Sequence, residues 1–204
     1  MSSGPELVIV FKLRNRNLRN EALHKIEAGV KKYRGFYFLE KKDTILAMGH
    51  QGYEFNVYSL ESLWSDLSNP DQDIVILLAD AKQMLDDDGE NDADFWKAYQ
   101  NAIALVVAEI DPYYGIITDT ETIKDIVKEG LDKNPINMNY FSFDYIRERL
   151  PGCNTVIQKY ASRKLKYGFL VTDMILPENQ WKKYNQEMKS GVCSQLDYEK
   201  HRRS

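Results

Sequence analysis

The sequence predicts an α+β protein of two sheet-containing modules, separate or fused into one domain, with helices packed on one face of the sheet or sheets. Three observations predict it. Strand-length stretches rich in β-branched and aromatic residues run apolar throughout or alternate with polar positions. Between them lie segments whose apolar residues recur at three and four, the period of a helix. Finally, Asp86-Asp87-Asp88-Gly89-Glu90-Asn91-Asp92-Ala93-Asp94 places six carboxylates in nine residues and parts the chain in two. Mutual repulsion and the lack of a large apolar side chain keep such a stretch hydrated. The expected organisation is an N-terminal module over 1–84, an acidic linker over 85–94, a C-terminal module over 95–176 and a polar tail over 177–204.

The first module opens with Leu7-Val8-Ile9-Val10-Phe11, a continuous apolar run that predicts a strand covered on both faces. Asn17 or Asn20 can cap the helix that follows, in which Leu18, Ala22, Ile26, Val30 and Tyr33 form one stripe and Gly35 supplies the stop. Phe36 to Leu39 and Thr44 to Met48 predict a hairpin through Lys41-Lys42-Asp43. Tyr53, Phe55 and Val57 alternate with polar residues, as in a half-exposed strand. A short helix through Leu60, Leu63, Trp64 and Leu67 ends before Pro70, and Ile74 to Leu78 predicts another buried strand.

The second module begins with the clearest helix. Asn91 is the expected N-cap, Phe95, Tyr99, Ala102, Ile103, Val106 and Ile110 form the buried stripe, and Asp111-Pro112 ends it. Tyr114 to Ile117 predicts a brief strand. Thr118-Asp119-Thr120-Glu121 then has the spacing of a capping box before a helix through Ile123, Ile126, Val127 and Leu131. Asn139-Tyr140-Phe141 precedes a short helix through Tyr145, Ile146 and Leu150, broken by Pro151-Gly152. The runs Thr155 to Tyr160 and Leu165 to Leu176 predict a second hairpin, and Trp181, Tyr184, Met188, Val192 and Leu196 anchor the tail.

Composition excludes several function classes. Residues 1–50 hold ten Lys/Arg against five Asp/Glu, residues 51–150 seven against twenty-one, and residues 151–204 ten against five, so balances of +5, −14 and +5 lie behind the net −4. An acidic middle disfavours a nucleic-acid partner, which would lay phosphates across it. No apolar run reaches the roughly 20 residues of a membrane span, and Met1 to Glu6 lacks the basic start of a secretory signal, so a cytoplasmic location is expected. Cys153 and Cys193 lack metal-ligand spacing and suit two reduced thiols, with a lone disulfide as the alternative.

The candidate sites follow from residue type and spacing. With Gly89 at the sixth position of a calcium loop, Met84 takes the first and Phe95 the twelfth, where a bidentate carboxylate is required, so that motif fails. His24, His50 and His201 have no partner at helical ligand spacing. No metal and no cofactor is therefore predicted. Asp111, Asp119 and Glu121, with Glu109, could form a carboxylate acid–base pair, but turns and helix caps use the same residues at the same offsets. Trp96, Tyr113, Tyr114 and Tyr140 lie in or beside loops or close to the acidic stretch, and such aromatics suit a binding surface.

Residues 94–176 also resemble certain bacterial toxin-immunity proteins. The similarity rests on Asp94-Phe95-Trp96 at a helix start, Tyr113-Tyr114-Gly115 after that helix, Asn139-Tyr140-Phe141 before a short helix, and a closing hairpin. Ser142-Phe143 stands where that family has Gly-Pro. The resemblance implies a small cytoplasmic protein that neutralises a cognate toxin by binding it, with no catalytic residues.

The leading expectation is thus a non-enzymatic binding protein for a partner with a basic surface, contacted by Asp86, Asp87, Asp88, Glu90, Asp92, Trp96, Tyr113, Tyr114 and Tyr140. The alternatives are an enzyme built on Asp111, Asp119 and Glu121, and a scaffold or homo-oligomer joined through sheet edges.

Overall fold

Val8, Ile9, Val10 and Phe11 are wholly buried, because β1 (Glu6–Lys12) lies inside a sheet covered on both sides. The computed structural model describes residues 6–14, 18–42, 45–59, 74–85, 92–119, 122, 138–174 and 176–202. The other strands described are β2 (Phe36–Lys42), β3 (Ile45–His50), β4 (Tyr53–Ser59), β5 (Ile74–Asp80), β6 (Tyr114–Asp119), β7 (Tyr140–Ser142), β8 (Arg163–Lys164) and β9 (Gly168–Leu170). Their order is β2-β3-β4-β5-β1-β6-β7-β9-β8, and every neighbouring pair is antiparallel. The α+β class is as expected, and β1 joins the two halves by pairing with β5 on one side and β6 on the other.

Helices occupy both faces, where one was expected. Leu7, Ile9 and Phe11 meet α1 (Leu18–Lys32) through Ala22, Ile26 and Val30, and α2 (Ala93–Ile110) through Phe95, Tyr99, Ala102 and Val106. Val8 and Val10 meet the other layer, made of α3 (Phe143–Arg149), α4 (Asn154–Tyr160) and α5 (Glu178–Arg202). Successive side chains of a strand point to opposite faces, and β1 and β5 are apolar at both parities, so each face needs its own cover.

The sheet also curls. β3 and β8 lie seven strand positions apart, roughly 34 Å in a flat sheet at ~4.8 Å per strand. Yet His50 on β3 and Arg163 on β8 both hydrogen-bond to Asn101 of α2, at 3.0 and 2.8 Å. The sheet therefore wraps α2 and brings its two margins toward each other.

Several expected elements differ. Residues Thr155 to Tyr160 are helical, and the second hairpin shrinks to β8 and β9. Cys153, Ile157 and Tyr160, spaced at four and three, are the buried positions, so burial at helical spacing overrides the β-branched Thr155-Val156-Ile157 run. The segment expected as a polar tail forms α5, with Tyr184 and Met188 buried one turn apart. Asp92, not Asn91, caps α2, its side chain accepting from the N–H groups of Asp94 and Phe95 at 2.8 and 3.2 Å. Asp119 accepts from the Thr122 N–H at 2.7 Å, and Glu121, the other half of the expected Thr118 capping box, lies outside the described residues. Asn20 lies within α1 and so is not its cap. The helices expected around Leu60–Leu67 and Ile123–Leu131 fall outside the described residues, as do Asn17, Asn91, Asp86, Asp87, Asp88, Glu90 and Glu121.

Candidate functional site

One end of the sheet gathers carboxylates. Glu6 faces Asp80 across β1 and β5, and Asp119 pairs in register with Leu7 on the other side. Burial, then the charge of Asp80, push the Glu6 carboxyl above its ordinary range. From Asp80 the chain makes a 3₁₀ turn over Ala81–Met84, fixed by the Asp80 side chain accepting from the Lys82 N–H at 2.9 Å. It leaves the described structure after Leu85 and re-enters at Asp92, whose N–H donates to the Met84 carbonyl at 2.8 Å. The acidic stretch therefore departs from and returns to this same end. Asp92 also accepts from the Tyr53 hydroxyl at 2.5 Å, which with its two backbone donors holds the carboxyl below its ordinary range. The hydrogen bond and charge of Asp92 in turn raise the Tyr53 hydroxyl to about 12. Leu85 is 51% exposed here, and Trp96 is half-buried, its ring set edge-on to Phe95 and Tyr99.

The other aromatic candidates lie elsewhere. The 18 residues of α2 separate Asp92 from Asp111 by ~27 Å at ~1.5 Å per residue. Tyr113 follows at that far end, where its hydroxyl donates to Glu148 at 2.6 Å and its ring packs edge-on against Tyr145. Tyr114 is 5% exposed and Tyr140 0%, so neither presents its ring to a partner here. Aromatic residues beside predicted loops are as often core as contact surface, and the register places both in the sheet.

Of the proposed acid–base carboxylates, Asp111 and Asp119 do not converge, and Glu121 lies outside the described residues. Asp111 precedes β6 and Asp119 ends it, so the length of the strand, ~17 Å at ~3.4 Å per residue step, stands between them. Asp111 has a structural task. It caps α2 in the left-handed region at φ 43°, and its Oδ1 pairs with Arg14 at 3.1 Å. Arg14 also bonds Asp144 of α3 at 2.5 Å and lies over the Tyr113 ring at 5.7 Å. One guanidinium thus ties the end of β1 to α2 and α3. Among the described residues no group of three His, Cys, Asp or Glu side chains is placed to hold a metal ion. Cys153 is a free, buried thiol whose pKa burial raises. No helix among the described residues is long and apolar enough to cross a membrane.

No protein-family model matches the chain. No curated protein matches its sequence either. Among solved structures, a T6SS protein of Pseudomonas aeruginosa aligns with 92% of this chain and 72% of its own length, at 9% identity and a TM-score of 0.36. A score at that level does not establish a shared fold.

Three features escaped the sequence. A groove of about 510 Å³ between α3, α4 and β9 is lined by Phe143, Ile146, Arg147, Pro151, Lys164 and Phe169, among others. Asn139 is 6% exposed and joins β6 to the segment after β9, accepting from the Ile117 N–H at 2.8 Å and donating to the Val171 carbonyl at 3.1 Å. His50 is 7% exposed and hydrogen-bonded through both ring nitrogens. The groove left no trace in the sequence, whereas Asn139 stood out in the Asn139-Tyr140-Phe141 segment and His50 between Gly49 and Gly52, without the bonds that each makes.

Proposed function

We propose that this is a non-enzymatic binding protein that neutralises a basic partner protein, an immunity-type role, and that it engages the partner through the acidic end of its sheet. One observation carries this reading: Glu6, Asp80, Asp92 and Asp119 share the end from which the acidic stretch departs and to which it returns. Exposed Leu85 and half-buried Trp96 stand beside them and offer the apolar contact that charge alone does not supply. The immunity role is supported by the residue pattern over 94–176, and a cytoplasmic setting belongs to the same proposal. Tyr113, Tyr114 and Tyr140 are not assigned to this surface.

An acidic patch raises association rates with a basic partner, and salt screens the gain. The test is to capture the partner from the source organism and follow association across ionic strength. Replacing Asp86, Asp87 and Asp88 by Asn is expected to slow association and leave dissociation nearly unchanged. An association rate indifferent to salt and to these substitutions would overturn the proposal.

A further inference from the structure

Where the curled sheet brings its margins together, a cavity of about 310 Å³ opens among Tyr33, Phe36, His50, Asn101, Leu105 and Arg163, with Arg34 at its lining. Its polar wall has one consistent proton arrangement. The Arg163 guanidinium can only donate, so the atom of Asn101 facing Nη1 at 2.8 Å is the amide oxygen. The Asn101 NH₂ then faces His50 Nε2 at 3.0 Å, which must accept. His50 Nδ1 carries the proton and donates to the Gly35 carbonyl at 2.9 Å. Phe36 stacks on the imidazole with ring centroids 4.1 Å apart. Gly35 stands at φ +89°, and a Cβ there would lie 3.2 Å from the imidazole, so the turn is shaped to this ring.

Hydrogen bonds therefore fix the orientation of each group in the wall. Among the described residues neither Arg34 nor Arg163 has a carboxylate within ion-pair distance. One of the five N–H donors of Arg163 is committed to Asn101, which orients the guanidinium and leaves others for a ligand. Oriented guanidinium donors beside aromatic and aliphatic side chains suit an oxyanion attached to a flat apolar body. We infer that this cavity is a binding site for a small aromatic or otherwise planar molecule bearing a carboxylate or phosphate group. The oxyanion would meet Arg163 and Arg34, and the apolar body would lie along Phe36, Leu105 and Tyr33. His50 pairs in register with Tyr53, which bonds Asp92, but the cavity shares no lining residue with the acidic end of the sheet and does not depend on the function proposed for that end.

Phenyl phosphate and benzoate are suitable probes, with benzyl alcohol as the uncharged control. Calorimetry and ¹H–¹⁵N spectra of the full chain are expected to give saturable binding of at least one anionic probe with Kd near or below about 1 mM, and none of benzyl alcohol. The Asn101 side-chain amide and the His50 ring nitrogens should shift with the same saturation curve. Arg163→Gln can still donate to Asn101 while losing the charge, and should weaken binding about tenfold or more. Arg34→Ala alters only an exposed residue and should weaken it in the same direction with the melting temperature preserved. Phenyl phosphate binding in preference to benzoate, or the reverse, would each support the site and name its oxyanion. Absence of saturable binding by both, equal binding of benzyl alcohol, or full affinity in the Arg34→Ala, Arg163→Gln double variant would overturn the inference.

Discussion

His50 and Arg163 stand on strands seven positions apart in the sheet and hydrogen-bond to the same side-chain amide, Asn101 of α2. The amide is the tie that holds the curl closed at this point. Asn101→Leu should leave the acceptor nitrogen of a buried imidazole without a donor, at a cost of about 1–3 kcal/mol. Urea denaturation measures it. An unchanged midpoint would mean that water satisfies the ring and that the amide is not the tie.

The helical state of 154–160 makes a prediction that a strand would not. In a strand, Thr155 and Ile157 would share a face. In α4 Ile157 is wholly buried and Thr155 is exposed. Ile157→Ala should cost about 2–5 kcal/mol, whereas Thr155→Ala should stay within about 0.5 kcal/mol. Comparable losses at both positions in chemical denaturation would contradict α4.

At Gly168 a Cβ would lie 2.1 Å from the carbonyl oxygen of Phe141, a backbone atom that cannot swing aside, because β7 and β9 pair at Phe141 and Phe169. Gly168→Ala should lose about 1–3 kcal/mol by forcing the strands apart. At Gly152 the nearest atom to an added Cβ is 3.7 Å away, so Gly152→Ala serves as the tolerated control. Thermal melts of the two variants, run in parallel, decide the point.

Glu27 sits between Lys31 and Lys41, with an oxygen 2.6 Å from each ammonium. Those two hydrogen-bonded charges, Lys31 first, lower its pKa to about 2 from an ordinary 4.5. A depressed carboxyl lends stability that is fully present above the ordinary value and is lost as pH falls through the depressed one. Carboxyl NMR should therefore find Glu27 ionised well below pH 4, and Glu27→Gln should flatten the acid limb of the stability curve between about pH 4.5 and 2. High salt should diminish the difference. An ordinary titration midpoint for Glu27 would refute the pairing.

Glu6 shows the opposite sign. Its raised carboxyl lends the fold stability while protonated, present below the ordinary pKa and lost as pH rises through the raised one. Asp80→Asn keeps a side-chain acceptor for the Lys82 N–H and removes the facing charge. The variant should melt at or slightly above the parent at pH 7, by up to about 0.5 kcal/mol, and coincide with it near pH 3. A destabilised variant at pH 7 would show that the two carboxylates do not repel.

Sequence alone determined the elements whose pattern is local. Continuous burial of β1 and β5, the alternation in β4, and the three-and-four stripe of α2 are legible because a strand or helix repeats its own period along the chain. The acidic middle was legible for the same reason, since charge adds up without regard to fold. Tertiary structure decided what depends on partners distant in sequence. Thr155 to Tyr160 became helix because Ile157 and Tyr160 pack against α5, a contact that local β-propensity cannot register. Asp111 serves Arg14 and Tyr140 fills the core, although both looked available for function. Trp96 and Tyr113 stand toward opposite ends of α2, because its residues Lys97 to Ile110 lie between them in space as well as in sequence. The seam between His50 and Arg163 exists only once the sheet has curled, and curvature arises from strand twist and helix packing rather than from any single residue.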